Sequence, residues 1–327
     1  MDPISNTPDD RPMLALTSGD PSGIGPEIVA AALKNPDVLA SARILVVGPE
    51  SVRPASVETY DPSASVQDVS WAASEDDGAW TLGRATASGG RAALAALRAG
   101  VDLVQAGRAQ ALVTAPVCKE ALHMAGERVE GQTELLARWD AADPYEMVAE
   151  AGDLRVMLLT RHMPLRDALD AIDGDGIVDH LVLFDRALRA QGIERPKLAI
   201  AGLNPHAGEG GLLGHEEQRM ITPAVQAARQ KGIDVGDPRS PDMVFLEGAR
   251  GDYDGVLALY HDQAFIPLKL LSRGRGLTWI AGLSYLRMSP VHGTAFDIAG
   301  QGVADPENLV HALQEAARRV RSGQKTR

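Results

Sequence analysis

The sequence holds one cysteine, few aromatic residues and no apolar run of the ~20 residues that a membrane-spanning helix needs. The single cysteine, Cys118, excludes an intrachain disulfide and fits a reducing compartment. Residues 1–12 are acidic and contain proline without an apolar core, so they predict a flexible N-terminal extension and not a signal or transit peptide. These absences predict a soluble cytoplasmic protein with no membrane partner.

Positive charge is also scarce, because 32 Lys and Arg stand against 44 Asp and Glu and leave a formal net charge of −12. Nucleic acid would be repelled except at a concentrated basic patch, and the sequence has no such patch. The fingerprint Gly-x-Gly-x-x-Gly is missing too, which argues against an ordinary Rossmann dinucleotide domain. We therefore expect no nucleic acid partner, and any nicotinamide cofactor must be held in another way.

Short apolar runs alternate with helical patterns along the chain. Strands are predicted at residues 14–17, 44–47, 111–114, 156–160, 198–201, 256–260 and 277–281. Helices are predicted at residues 26–33, 90–99, 175–190, 216–230 and 306–320. This alternation predicts an α/β fold with a mostly parallel sheet covered on both faces. No linker composition marks a domain boundary, so we expect discontinuous domains.

Three histidines, His162, His206 and His261, share one local context, because each follows a predicted strand and begins or joins a polar loop. Ligands of open α/β folds bind beyond the carboxyl ends of the strands, and neutral imidazole is the commonest protein ligand of transition metals. The recurrence predicts one metal site assembled from the three loops. Three separate hydrogen-bonded loop histidines are the alternative.

Other polar residues stand at strand exits and helix starts. Lys119 follows a strand where a helix begins, so it is a candidate for meeting a substrate anion or assisting proton transfer, or else a solvated lysine. Gln132 and Thr133 stand at a helix start, where they would either bind anionic oxygens or cap the helix. Lys269 and Arg287 predict an anion-binding pair, with surface charge as the alternative for either one alone.

Taken in order, these pieces resemble the 4-hydroxythreonine-4-phosphate dehydrogenase family of pyridoxal-phosphate biosynthesis. The resemblance runs from SGDPSGIGPE near the start to HGTAFDIAG near the end, with LNPHAGEGG and YHDQ as specific signatures between them. It implies two α/β/α domains like those of isocitrate dehydrogenase, which we place at residues 13–130 plus 285–327 and at residues 131–284. It also implies a homodimer whose active-site cleft lies between the domains and at the subunit interface.

Carried onto this chain, the resemblance implies that a divalent metal ion (Zn, Mg, Co or Mn) binds His162, His206 and His261, contributed by both subunits. It implies that Thr133, Lys269 and Arg287 contact the substrate phosphate. Two substrate-binding positions depart from the family pattern. Gln132 stands where the family usually has His, and Thr278 stands where it usually has Asn.

Two further departures are Val291, where Asp is usual, and Cys118, where Asn is common. The predicted reaction is oxidation of a secondary hydroxyl by NAD or NADP, with coupled loss of CO2 from a β-keto acid. Asp242 and Asp262 are candidates for orienting the imidazoles, and turn or cap residues otherwise.

Because the substrate-binding residues depart while the metal ligands do not, related substrates stay open. They are threonate or erythronate 4-phosphate, and the terephthalate cis-dihydrodiol. A zinc hydrolase would use the same histidines without a nicotinamide cofactor. A solute-binding module with a structural metal would need four protein ligands, and the three histidines provide only three.

Overall fold

The computed structural model describes residues 10–62 and 68–323. Its strands are β1 (Met13–Thr17), β2 (Arg43–Pro49), β3 (Glu58–Thr59), β4 (Val69–Ser74), β5 (Ala111–Thr114), β6 (Glu146–Ala151), β7 (Leu154–Leu158), β8 (Lys197–Ile200), β9 (Asp234–Val235), β10 (Gly255–Ala258), β11 (Leu277–Ala281) and β12 (Leu286–Pro290). They form one sheet in the order β3-β4-β2-β1-β5-β12-β11-β6-β7-β10-β8-β9.

The helices are α1 (Gly25–Ala32), α2 (Pro36–Ser41), α3 (Ala87–Gln105), α4 (Lys119–Met124), α5 (Gln132–Asp140), α6 (Leu165–Ala171), α7 (Gly174–Ala190), α8 (Thr222–Gln230), α9 (Val244–Ala249), α10 (His261–Ser272) and α11 (Glu307–Arg321). Local capping explains two of the starts. Thr86 accepts a hydrogen bond from the backbone of Gly89 before α3, and Asp173 accepts one from Gly176 before α7. Among the described residues, no helix has the length and apolar character needed to cross a membrane.

Most neighbouring strands are parallel, and the three antiparallel pairs lie together at the centre, at β12/β11, β11/β6 and β6/β7. These three reversals make strands β3-β4-β2-β1-β5-β12 run in one direction and strands β7-β10-β8-β9 run in the other. The carboxyl ends of the two parallel parts therefore lie at opposite edges of the sheet. This architecture confirms the predicted α/β class with a largely parallel sheet.

The two faces of the sheet are covered differently. On one face, helices α1, α2, α7, α8 and α11 pack over a single apolar core that includes Trp71, Met157 and Trp279. On the other face, α3 and α5 cover a core around Leu112, while α9 and α10 cover a separate core around Val156. The central strands β12, β11 and β6 lie between these two cores, and a cleft opens over them.

The predicted division into domains is not decided by this arrangement. The sheet runs unbroken through both segments, so the boundaries at residues 130/131 and 284/285 stay predictions. Residues 1–9 of the predicted N-terminal extension lie outside the described residues. Pro12, at its end, is already part of the fold, because its carbonyl oxygen accepts a hydrogen bond from the backbone of Arg43 at 2.9 Å.

Candidate active site

The cleft over the central strands has a volume of about 330 Å³ and is lined by both parts of the sheet. Eight of the predicted site residues line it: Lys119, Gln132, Thr133, His162, His261, Lys269, Thr278 and Arg287. The other three, His206, Asp242 and Asp262, do not. The cleft crosses the face of the sheet from the carboxyl end of β5 to the carboxyl ends of β7 and β10. Residues from opposite sheet edges therefore meet in it.

Strand alternation decides which central side chains face the cleft. Arg287 and Ser289 are two residues apart on β12, and Thr278 is the registered partner of Ser289 on β11, so the three share one face. The hydroxyl oxygens of Thr278 and Ser289 are 2.7 Å apart and hydrogen-bonded. Leu286 and Met288 point to the opposite face of the sheet, into the single apolar core that contains Trp71 and Trp279.

Arg287 is a buried cation that forms no ion pair within the described part of the chain. Its side chain is 3% exposed, and Nη2 donates to Thr114 Oγ1 at 2.6 Å and to Gln132 Oε1 at 3.1 Å. Its Nε is buried and has no hydrogen-bond partner, and no carboxylate among the described residues forms an ion pair with it. Burial lowers the pKa of Arg287 to about 10, so it stays charged at neutral pH. A guanidinium in this state is suited to an anionic ligand.

The two substrate-binding positions that depart from the family pattern are hydrogen-bonded to neighbouring protein groups. Gln132 donates through Nε2 to the carbonyl oxygen of Ala115 at 3.3 Å and accepts from Arg287. Thr278 pairs with Ser289. Gln132 therefore supports the arginine and adds no charge of its own.

Two lysines extend the positive charge around Arg287. Lys119 is the first residue of α4, and Lys269 lies on α10, where its ammonium is 5.8 Å from the ring centroid of Phe265. Neither forms an ion pair with a carboxylate among the described residues. We call Lys119, Lys269 and Arg287 the anion pocket.

Arg161, also in the cleft, is neutralised by the protein. It pairs with Glu146 at 2.8 Å and with Glu134 at 3.1 Å. Burial alone would lower the pKa of Arg161, but the charges of these two glutamates outweigh it and raise the pKa. The Glu134 contact joins the loop after β7 to α5. Neither Arg161 nor Glu134 was predicted, since the residues of each pair are distant in the sequence.

His162 and His261 form a pair, with ring centroids 5.4 Å apart. His261 shares a hydrogen bond between Nδ1 and Asp262 Oδ1 at 2.7 Å, which leaves its Nε2 for another ligand. Partial burial of His162, together with the charges of Lys119 and His261, lowers the pKa of His162 and favours the neutral imidazole. Two imidazoles side by side provide two of the four ligands of a typical tetrahedral zinc site.

His206 lies apart, in a turn at Pro205–Gly211 after β8. The strands β7, β10 and β8 are parallel neighbours, so the three histidine loops leave the same edge of the sheet. Within residues 10–62 and 68–323, however, no three His, Cys, Asp or Glu side chains lie close enough to hold a metal ion. One chain therefore supplies a histidine pair and a separate, exposed His206.

Carboxylates accompany two of the three histidines. Asp262 bonds to His261, and Glu209 Oε2 lies 2.7 Å from His206 Nδ1. Asp242 bonds to Ser240 instead; that bond lowers the pKa of Asp242, and the charge of His206 lowers it further by less. A role for Asp242 in catalysis stays a prediction. Glu209 was missed because residues three apart meet only where the chain turns like a helix, and the sequence of this loop does not predict such a turn.

Known proteins resemble this chain over nearly its whole length. A family model described as pyridoxal phosphate biosynthetic protein PdxA matches residues 29–316. The chain is 39% identical over 333 residues to 4-hydroxythreonine-4-phosphate dehydrogenase of Desulfosudis oleivorans, covering 94% of this chain and 95% of that protein. It is 38% identical over 319 residues to D-threonate 4-phosphate dehydrogenase of Pectobacterium atrosepticum, covering 93% and 98%.

Solved structures agree with these relatives. The structure of 4-hydroxythreonine-4-phosphate dehydrogenase from Klebsiella pneumoniae matches with a TM-score of 0.84 and 39% identity, covering 94% of this chain and 99% of that one. A terephthalate 1,2-cis-dihydrodiol dehydrogenase from Burkholderia xenovorans matches less well, with a TM-score of 0.63 and 28% identity over 94% and 98% of the chains.

Proposed function

This chain belongs to the family of the pyridoxal phosphate biosynthetic protein PdxA and is a dehydrogenase, and we propose that its substrate is a four-carbon hydroxy acid phosphorylated at C4. The first candidate is 4-hydroxythreonine 4-phosphate, and the second is threonate or erythronate 4-phosphate. The relatives of both kinds are similar to this chain to nearly the same extent, 39% and 38%. Because those relatives are dehydrogenases, they decide against the zinc hydrolase.

The anion pocket is the observation that carries this proposal. Arg287 is buried and charged, it forms no ion pair with a carboxylate of the described residues, and its Nε lacks a hydrogen-bond partner. A phosphate group seated there would replace the missing partner with charge-assisted hydrogen bonds, while Lys119 and Lys269 add charge from the sides. Thr133 lies at the start of α5 on the same cleft wall, where its hydroxyl is available to the phosphate.

The residues present fit a divalent metal ion if two copies of the chain combine. His162 and His261 of one subunit would be joined by His206 of the partner subunit, since one chain does not bring the three together. The carboxylates on Nδ1 of His206 and His261 fix the ring nitrogen that stays available, as in many metal sites. Three imidazoles favour Zn or Co over Mg or Mn.

Exposed apolar side chains beside both half-sites support a homodimer. A groove of about 630 Å³ next to Tyr260 and Asp262 is lined by Leu246, Ile266, Leu270 and other apolar residues. Near His206, Leu212 is 84% exposed. An apolar groove on the surface is typical of a protein interaction site. A second copy placed over it would bring its own His206 towards the histidine pair.

In the reaction, the chain's own residues hold the substrate by its phosphate and direct its hydroxyl to the histidine end of the cleft. A divalent ion held by the histidines would lower the pKa of the substrate hydroxyl, and a bound NAD or NADP would supply the acceptor for the hydride. Lys119 of the anion pocket also lies near enough to His162 for its charge to lower the pKa of the imidazole, which suits Lys119 to hold a proton near the reacting carbons. Loss of CO2 from the resulting β-keto acid is the proposed second step.

The proposal is tested by reduced-nicotinamide absorbance with the purified protein, NAD or NADP, and Zn, Co, Mg or Mn. The substrates compared are 4-phosphohydroxy-L-threonine, D-threonate and D-erythronate 4-phosphate, and the terephthalate cis-dihydrodiol. We expect turnover of a phosphorylated acid that is abolished by a chelator and restored by metal. Turnover of the diol alone would contradict the phosphate proposal and assign the anion pocket to a carboxylate.

A further inference from the structure

The turn that carries His206 has a backbone conformation that L-residues rarely adopt. His206, Ala207 and Glu209 have φ values of 53°, 53° and 44°, and Gly208 and Gly210 share the left-handed region. Each non-glycine residue is disfavoured there by contact between its Cβ and the backbone. A run of five such residues persists only where other contacts hold it.

Glu217 supplies those contacts from outside the turn. Its side chain is buried, and Oε1 accepts hydrogen bonds from the backbone N–H groups of Leu203 and Asn204, both at 2.8 Å. Its Oε2 accepts from Asn204 Nδ2 at 2.9 Å. The carboxylate thus binds both residues of the segment that leads directly into Pro205 and His206.

Gly208 brings the same carboxylate against the turn itself. A Cβ added at Gly208 would lie 2.7 Å from Glu217 Oε2, so only glycine permits this approach. Glu217 also begins a π-helical turn at Glu217–Ile221, ahead of α8. Such turns are rare and occur often at functional sites, because the extra residue redirects a side chain.

We propose that Glu217 is a positioning residue for His206: its buried carboxylate holds the left-handed turn that presents the imidazole to the metal. This inference rests on the proposed function, in which His206 is a metal ligand. Glu217 does not touch metal or substrate. It acts by fixing the backbone before the turn. The conformation of the turn then places His206 Nδ1 against the carboxylate of Glu209.

The test is Co2+ binding by the full-length protein, followed by the visible absorption of the bound ion in the absence of substrate and nicotinamide. We expect Glu217→Gln to weaken Co2+ binding by about 10- to 100-fold, as loss of a carboxylate behind a metal ligand does. The amide cannot accept on both sides, so it loses either the backbone N–H groups or Asn204. The cobalt spectrum should also change, which a loss of stability alone would not cause.

Glu216→Gln is the matched control. Glu216 accepts from the same Asn204 Nδ2, at 2.8 Å, but it is exposed and does not bond to the backbone of Leu203 or Asn204. It should bind Co2+ nearly as the wild type does. Equal losses in Glu216→Gln and Glu217→Gln, or no loss in Glu217→Gln, would overturn the positioning role.

A second pair of variants decides the matter if Glu217→Gln does not fold. Gly208 and Gly210 both have positive φ, but a Cβ at Gly210 meets nothing within 4 Å. Gly208→Ala should therefore weaken Co2+ binding more than Gly210→Ala, and equal losses would overturn the proposal. His206→Ala separates failure of the metal assignment from failure of the positioning role of Glu217. If it binds Co2+ normally, the metal assignment itself fails; if it loses Co2+ while Glu217→Gln does not, only the positioning role fails.

Discussion

Two arginines on opposite faces of the central sheet are equally buried, at 3% exposure, but they are in opposite electrostatic situations. Arg319 lies on the face of the sheet opposite the cleft. It pairs with Glu150 and Glu315, and it also donates a hydrogen bond to Gln191. Burial alone would lower the pKa of Arg319, but the two glutamates outweigh it and raise the pKa. Burial lowers the pKa of Arg287, on the cleft face, because the charges of Tyr285 and Glu134 offset the effect of burial only in part.

The difference separates a structural cation from a binding one. Glu150 accepts from Trp279 Nε1 at 2.6 Å as well as from Arg319, so the pair joins β6, β11 and α11 within the continuous core. The protein itself completes that network. The described residues that accept hydrogen bonds from Arg287 do so through hydroxyl and amide oxygens, so Arg287 forms an ion pair only when an anion binds. Burial alone would not have distinguished the two.

The largest expected effect comes from breaking the ion pair between Arg319 and Glu150. Arg319→Met removes the closer of the two cations that pair with the buried carboxylate of Glu150. Only Arg155 remains, 3.5 Å away and partly exposed, so we expect the substitution to lower the free energy of unfolding by about 3–5 kcal/mol. Urea unfolding measures this loss. The turnover of the molecules that remain folded should be unchanged, because Arg319 does not line the cleft.

The double variant Glu150→Gln with Arg319→Met is the control for that loss. It removes both charges and keeps an acceptor for Trp279, so it should regain much of the lost stability. If Arg319→Met were as stable as the wild type, the ion pair between Arg319 and Glu150 would contribute nothing to stability. The contrast between Arg319 and Arg287 would then fail.

Arg287→Met should show the reverse pattern. Its unfolding free energy should stay within about 1 kcal/mol of the wild type, because an unpaired buried charge is removed. Its kcat/KM should fall by about 100- to 1000-fold, equivalent to about 3–4 kcal/mol, because the anion loses a charge-assisted partner. Steady-state kinetics beside urea unfolding separate the two quantities.

Arg287→Lys sharpens this prediction. It keeps a positive charge but loses the planar fork, so its kcat/KM should lie between those of the wild type and Arg287→Met. A destabilisation of Arg287→Met as large as that of Arg319→Met would show that Arg287 is structural, in contradiction to its assignment to the anion pocket.

The sequence predicted the central strand β11 but neither of its neighbours in the sheet, β12 and β6. The predicted strands at 111–114 and 277–281 coincide with β5 and β11, because short apolar runs between turns read clearly. Strand β6 was missed because Glu146 and Glu150 interrupt its apolar pattern. Both glutamates are buried by arginines distant in the sequence, Arg161 and Arg319, and no local pattern reveals such partners.

The site was predicted in its residues more than in its geometry. Strand exits identified Lys119, His162 and His261, which all line the cleft. The position of the cleft on the face of the sheet depends on the three central reversals, which no motif signals. The separation of His206 within one chain likewise depends on its turn, and that turn is held by Glu217, fourteen residues from Leu203.

The smallest expected effect is stabilisation of the folded protein by inorganic phosphate in the absence of substrate and cofactor. It is also the most direct test of whether Arg287 binds an anion. An anion that binds only the folded state adds RT ln(1 + [L]/Kd), about 1.4 kcal/mol at ten times Kd, and raises Tm by about 2 °C or more. The rise should be lost in Arg287→Met and kept in the double variant at Glu150 and Arg319, with ionic strength matched by chloride. An equal rise in all three proteins would mean that phosphate acts on the surface in general, and that the charge of Arg287 is not available to a ligand.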